Sequence, residues 1–262
     1  MRKIKAFHII VSILFISSCL SVNTNPDFED VPVVQGYLHA NKPLEIKISR
    51  QIPYSSKANY SLDNLDSLEI KIFDGNLYYS LVSDGNGKYI NPDIDLNQLD
   101  SFEIEFNFNN VSVSASTNIP SKPENFSSSV SNVYVSILPG NNPDEITFTW
   151  DNTNGRYYFL LIENIESNPI SIYDNVNIAN INQLFNLAPT QSDSYTMRTR
   201  RFSYYGKHRI ILFHINPDLA ALYEENDNTS QNISNPPTGL KNAFGIFTGI
   251  NSDTLYVNVK AR

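Results

Sequence analysis

Ser101-Phe-Glu-Ile-Glu-Phe-Asn-Phe108, followed by Val111-Ser-Val-Ser-Ala-Ser-Thr-Asn118, is the stretch that decides the fold. Phe102, Ile104, Phe106 and Phe108 alternate with Glu103, Glu105 and Asn107, and Val111, Val113 and Ala115 alternate with polar residues. A period of two sends successive side chains to opposite faces, so each run reads as a strand with one buried face. The same alternation occurs upstream at Leu44, Ile46 and Ile48, and at Leu68, Ile70 and Ile72. Between the runs lie Asp74-Gly75-Asn76 and Asp84-Gly85-Asn86-Gly87, whose residue types suit tight turns. Short strands separated by such turns describe a β-sandwich over residues 31–118.

A change in texture follows. Residues 119–131 contain Pro120, Pro123 and a serine run with little apolar content, and read as a linker. Strand patterns resume at Val133, Val135 and Ile137 and at Ile146, Phe148 and Trp150. Tyr157 to Ile162 is apolar on both faces, as a central strand would be. Tyr195 to Phe202 and Lys207 to Ile215 read as a hairpin around Tyr204-Tyr205-Gly206, and Leu255, Val257 and Val259 mark the last strand. Asn216 as N-cap, Pro217 at the first position and Asp218 in the first turn predict a helix to about residue 225. The expected fold is all-β: two β-sandwich-like, immunoglobulin-like domains in tandem, the second (132–262) holding one short helix.

The chain has 262 residues, 41% hydrophobic with 15 Phe and 15 Tyr, which is enough to build cores and excludes general disorder. Its formal net charge of -8 disfavours nucleic acid as a partner, because phosphate neutralisation needs clustered Lys and Arg. The single cysteine excludes an intramolecular disulfide, a CxxC redox pair and a cysteine zinc cluster.

That cysteine closes a leader. Arg2, Lys3 and Lys5 form a basic start, and Phe7 to Ile16 form an apolar run shorter than the roughly 20 residues of a membrane-spanning helix. Ile16-Ser17-Ser18-Cys19 then resembles a bacterial lipobox. Residues 1–18 are expected to be removed, leaving an acylated Cys19 as the anchor in membrane lipid. Several acyl chains, each methylene adding about 0.8 kcal/mol, make such attachment effectively permanent. Losing residues 1–18 removes basic charges only, so the mature chain is more acidic still. Residues 19–30 read as a flexible tether. Its Asp27, Glu29 and Asp30 resemble the export signals of Bacteroidota surface lipoproteins.

No Gly-x-Ser-x-Gly, His-Glu-x-x-His, Walker or Rossmann motif is present. His208 and His214 share a face of one expected strand but stand about 20 Å apart, too far to share a metal, and His39 is distant in sequence. Asp93, Asp95, Asn97 and Asp100 have the composition of a cation loop without the closing glutamate of an EF-hand, and read as a solvated turn. No catalytic residue, metal or cofactor is therefore expected. A hydrolase would instead need carboxylates converging in a cleft.

The densest chemistry lies at Arg198, Arg200, Arg201, Lys207 and Arg209, interleaved with Tyr204 and Tyr205. Guanidinium forks and aromatic faces in that pattern suit an anionic ligand or an acidic partner surface, and a solvated basic face is the simpler reading. Asp66-Ser67-Leu68 and Asp253-Thr254-Leu255 resemble the short O-glycosylation signal of Bacteroidota exported proteins, with Ser67 and Thr254 as acceptors, each at an expected strand start.

Four features together resemble a Bacteroidota outer-membrane lipoprotein family, the domain of unknown function 4249. They are the lipobox with the early strand Val31-Pro-Val-Val-Gln-Gly-Tyr37, the run from Asn110 into Ile119-Pro120, Ile146–Trp150 with Arg156-Tyr-Tyr-Phe159, and the late Asn235-Pro-Pro-Thr-Gly-Leu-Lys-Asn-Ala-Phe-Gly-Ile-Phe-Thr-Gly249. The family's acidic run is delayed here, and Lys241-Asn242 replaces its late Gly-Gly step. The resemblance implies an all-β protein at the outer membrane, beside a TonB-dependent receptor in nutrient uptake; whether it faces the cell exterior or the periplasm is left open. It implies no catalytic residue. The alternative is a surface adhesin or structural envelope lipoprotein; the ligand is left open.

Overall fold

A computed structural model describes residues 30–51, 65–97, 100–135, 144–173, 184–224 and 239–262. Cys19, residues 1–29 and Ile137 lie outside them. The first half contains β1 (Pro32–His39), β2 (Leu44–Arg50), β3 (Lys71–Phe73), β4 (Tyr78–Ser80), β5 (Val82–Gly85), β6 (Lys88–Asn91), β7 (Ser101–Phe108) and β8 (Val111–Asn118). The second contains β9 (Ser127–Ser128), β10 (Asn132–Val135), β11 (Glu145–Thr149), β12 (Tyr157–Asn164), β13 (Leu184–Asn186), β14 (Ser194–Arg198) and β15 (Gly206–Ile215). Helix α1 (Pro217–Glu224) and β16 (Phe244–Ala261) end it.

These strands make a long sheet in the order β13-β12-β15-β16-β1-β2-β6-β5, with β10 beside β16, and two smaller sheets, β4-β3-β7-β8 and β14-β11-β9. The fold is all-β, two β-sandwich-like halves with one short helix in the second. In the first, Val34, Leu38, Ile46 and Ile48 of the long sheet face Phe102, Ile104, Phe106 and Val113 of the four-stranded sheet. In the second, Leu160, Ile162, Ile210, Leu212 and Val257 face Ile146, Phe148 and Met197. The alternation seen in the sequence is the alternation of burial: β7 reads exposed and buried by turns along its whole length. Burying one such side chain stabilises by about 1.5–3 kcal/mol.

Asparagine supplies the turns. Every non-glycine residue with positive φ among the described residues is asparagine: Asn41, Asn86, Asn109, Asn110, Asn125 and Asn242. Its short polar side chain lowers the cost of the left-handed region. Asn109 and Asn110, at φ 49 and 65, give the two-residue turn joining β7 to β8. At the β3–β4 turn the Asp74 carboxylate accepts the amides of Asn76 and Leu77 at 2.8 and 2.7 Å, and these hydrogen bonds, led by the one from Leu77, hold it below the usual carboxylate range.

The boundary region is tightly held. β16 pairs in parallel with β1 through Phe244–Ile250 and antiparallel with β15 through Ile250–Val259, so one strand serves both halves. Phe247 accordingly belongs to the first core. Within 119–131, read as a linker, Ile119 is fully buried and Ser127–Ser128 is a strand paired with β11. Asn216 donates to the Asn118 carbonyl at 2.8 Å and Asn251 to that of Pro120 at 2.9 Å. Composition suggests a linker there because the partners that bury it come from about a hundred residues later. Gly249 completes the junction: a Cβ there would stand 2.1 Å from the Asn118 carbonyl oxygen.

Helix α1 starts at Pro217, where the sequence predicts it, with Ala220 N–H donating to the Asn216 carbonyl, while the Asn216 side-chain amide donates to Thr117 and Asn118. Asp218 accepts the Thr248 hydroxyl at 2.9 Å, which ties the helix to β16. Burial pushes the Asp218 carboxyl up, partly offset by that hydrogen bond.

Candidate functional site

The basic segment departs from the hairpin expected of it. β14 pairs with β11 in the three-stranded sheet, whereas β15 pairs with β12 and β16 in the long sheet. A 3-10 turn, Thr199–Arg201, and Phe202–Tyr205 carry the chain from one sheet to the other. Alternation alone cannot tell a hairpin from a strand pair that crosses a sandwich, because both bury one face of each strand.

The crossing scatters the cluster. Arg198 ends β14 and Arg200 lies in the 3-10 turn, both exposed. Arg201 donates to the Tyr195 hydroxyl at 2.6 Å. Tyr204 is only 5% exposed, so its ring is core and not contact surface. Tyr205 is half-buried and packs against the second core. Lys207 places its ammonium 4.5 Å from the Tyr256 ring centroid. Arg209 directs Nε and Nη2 to one oxygen of Glu163, its cross-strand neighbour. Of the seven residues, Arg198 and Arg200 face solvent at one sandwich edge, and Lys207 and Arg209 lie on the long sheet with side-chain partners.

The histidines are packed. His208 is buried against Phe202 at 4.9 Å, with Nδ1 beside the Gly206 carbonyl at 3.1 Å. His214 stacks on Tyr158 at 5.0 Å, with Nδ1 beside the Ser121 carbonyl at 2.8 Å. Burial pushes both imidazoles down, away from the charged form. His39 lies between the Ala40 carbonyl and the Ser252 hydroxyl. Asp93 N–H closes an Asx turn on Asn91, and among the described residues no three His, Cys, Asp or Glu side chains gather as a metal site.

Ser67 is exposed in the loop before β3. The neighbouring Asp66 carboxylate accepts the amides of Asn86 and Gly87, which gives that aspartate a structural task. Thr254 is exposed but lies in the middle of β16, opposite Ile211, rather than at a strand start.

Two concave sites stand out among the described residues. A cleft of about 140 Å³ is lined by Glu124, Asp151, Asn152, Arg156 and Tyr158. It is smaller than the roughly 300 Å³ at which ligand pockets begin, and Asn152 fills part of its hydrogen-bonding capacity on the Arg156 and Gln191 carbonyls. A larger groove of about 360 Å³ crosses the outer face of the four-stranded sheet, with Phe73 and Tyr78 at one end and Lys241 at the other. No local sequence pattern marks it, because its residues come from five separate segments and only the strand register brings them together.

Among solved structures, the FN1–FN3 domains of chicken CNTN1 match 71% of this chain at 12% identity with a TM-score of 0.30, and the chain spans 61% of that segment. A segment of consecutive titin domains matches 88% of this chain, over 68% of its own length, at 9% identity and a TM-score of 0.21. No curated protein matches the sequence. A family model, domain of unknown function (DUF4249), matches residues 19–255, and the chain belongs to that family.

Proposed function

We propose that the protein is a lipid-anchored lipoprotein of a Bacteroidota outer membrane, facing the cell exterior and acting as a non-enzymatic accessory binding component of a TonB-dependent nutrient-uptake system. The observation that carries this reading is Cys19: the only cysteine in the chain stands where a lipobox requires it, directly after a basic and apolar leader. Acylation there fixes the folded part to the membrane surface through residues 20–30. Among the described residues no helix is long and apolar enough to cross a membrane. Arg198 and Arg200, exposed at one sandwich edge, are the part of the basic cluster available to an acidic partner surface. Ser67 and Thr254, both exposed, remain the O-glycosylation candidates.

Membrane fractionation tests the anchor: Cys19→Ser moves the protein from the membrane to the soluble fraction, and unchanged sedimentation overturns it. Affinity purification from detergent-solubilised outer membranes tests the partner. A co-purifying β-barrel receptor supports the uptake role. A chain that stays membrane-bound without one favours the adhesin or structural envelope lipoprotein.

A further inference from the structure

The outer face of the four-stranded sheet carries a second constellation, independent of the anchor and of the basic cluster. Tyr78 opposes Phe73, Phe73 opposes Glu103, and Glu103 opposes Ser116. One step along the face, Ser80 opposes Lys71, Lys71 opposes Glu105, Glu105 opposes Ser114, and Ser114 is bridged to Lys241. Directly opposed residues project from the same side of a sheet, so these are two parallel rows on one face, about 7 Å apart, with about 4.8 Å between strands. The other side of the same strands carries Ile72, Ile104 and Val113 into the first core, which fixes the outward direction of both rows.

The groove along these rows has walls. At one end the Phe73 and Tyr78 rings pack with centroids 4.8 Å apart and planes tilted by 33°, and Tyr78 is 63% exposed. At the other end Lys241 exchanges backbone hydrogen bonds with Ser114, and Asn242 donates to the Ser112 carbonyl, so residues 239–242 line the edge of β8. Glu103, Glu105 and Ser114 form the floor. None of Lys71, Glu103, Glu105 and Lys241 is in an ion pair among the described residues, which leaves their hydrogen-bonding capacity for a ligand.

We propose that this groove binds a neutral saccharide chain. A pyranose ring presents an apolar C–H face that stacks on an aromatic ring, and a rim of hydroxyls that both donate and accept. The exposed Tyr78 ring matches the first property. Carboxylates that accept, ammonium groups that donate and serine hydroxyls that do both match the second, through charge-assisted bonds. The charged residues lining the groove are Glu103 and Glu105 against Lys241, a balance that repels an anionic chain and leaves a neutral polyol free to hydrogen-bond to both signs. Its length, across the whole sheet and onto 239–241, suits a chain of sugars more than a single one.

Native affinity electrophoresis tests this with the full chain in mild detergent, through gels containing xylan, mixed-linkage β-glucan, mannan or dextran, and polygalacturonate as the acidic control. At least one neutral polysaccharide is expected to retard the protein. Tyr78→Ala should weaken that retardation at least tenfold and Glu105→Gln severalfold, while Lys260→Ala, exposed at the other sandwich, leaves it unchanged. An unaltered melting temperature in Tyr78→Ala separates lost binding from lost fold. Retardation by none of the neutral polysaccharides, by polygalacturonate alone, or to the same extent in Tyr78→Ala overturns the proposal.

Discussion

The two sandwiches share a sheet and close it differently. The first is covered by β7 and β8, a regular antiparallel hairpin of eight-residue strands in unbroken register. The second is covered by β9, β11 and β14, strands of two, five and five residues drawn from distant stretches of chain. Both cores are nevertheless fully buried, so dryness does not depend on regular closure. What differs is locality: the first lid is made by neighbours in sequence, the second by segments that must wait for one another.

Removing a central ring from either core should do the most damage. Phe102 and Phe148 are 1% and 0% exposed, one in each smaller sheet. Phe102→Ala and Phe148→Ala should each cost about 3–5 kcal/mol. Because β16 contributes to both cores, each variant should still melt in a single calorimetric transition. Two separated transitions would show that the halves unfold independently despite the shared strand.

The junction comes next. Gly249→Ala forces a methyl against the Asn118 backbone oxygen at 2.1 Å, where neither side is a flexible side chain. A loss of about 1–3 kcal/mol in denaturant unfolding is expected, typical of overpacking. Gly239→Ala serves as reference: its φ of +64 is strained for alanine, but nothing lies within 4 Å of the new methyl. Equal losses at the two positions would mean that the contact with Asn118 relaxes freely.

Reading the sequence works where the period of two survives. β2, β7, β8, β11 and the end of β16 all show it, and α1 announces itself by Pro217 at its start. It fails at the start of β16, where Ile246, Phe247, Thr248 and Gly249 are buried in succession because the strand is covered on both faces. It fails again at residues 199–205, where a crossing between sheets imitates a hairpin. The basic cluster is conspicuous in sequence and dispersed in space. The groove at Tyr78 is inconspicuous in sequence and assembled in space, since registers between strands are long-range facts that local composition does not encode.

Acid should act through the second sandwich. His208 and His214 both lie there, held below the usual histidine range chiefly by burial. A base whose folded pKa is depressed contributes stability that is intact above its unfolded value, about 6.5, and lost as pH falls through the folded value. The melting temperature should therefore fall between pH 7 and pH 5. His208→Gln and His214→Gln should each flatten that slope, measured against the variant's own value at pH 7. A slope unchanged in both variants would assign acid sensitivity to other groups.

The mildest loss is expected in the basic cluster. Arg209 and Glu163 oppose each other across β15 and β12, with side chains 41% and 29% exposed. Water screens a pair so placed, and Arg209→Ala should cost no more than about 1 kcal/mol, less in 1 M salt than in 0.1 M. Arg198→Ala and Arg200→Ala, exposed at the sheet crossing, should cost less still. If the cluster serves a partner surface, the order reverses for binding: Arg198 and Arg200 carry the salt-sensitive loss, and Arg209, already engaged by Glu163, carries little. A patch in which all three substitutions weaken partner binding equally would require the Arg209 pair to open on contact, which its double hydrogen bond to one carboxylate oxygen opposes.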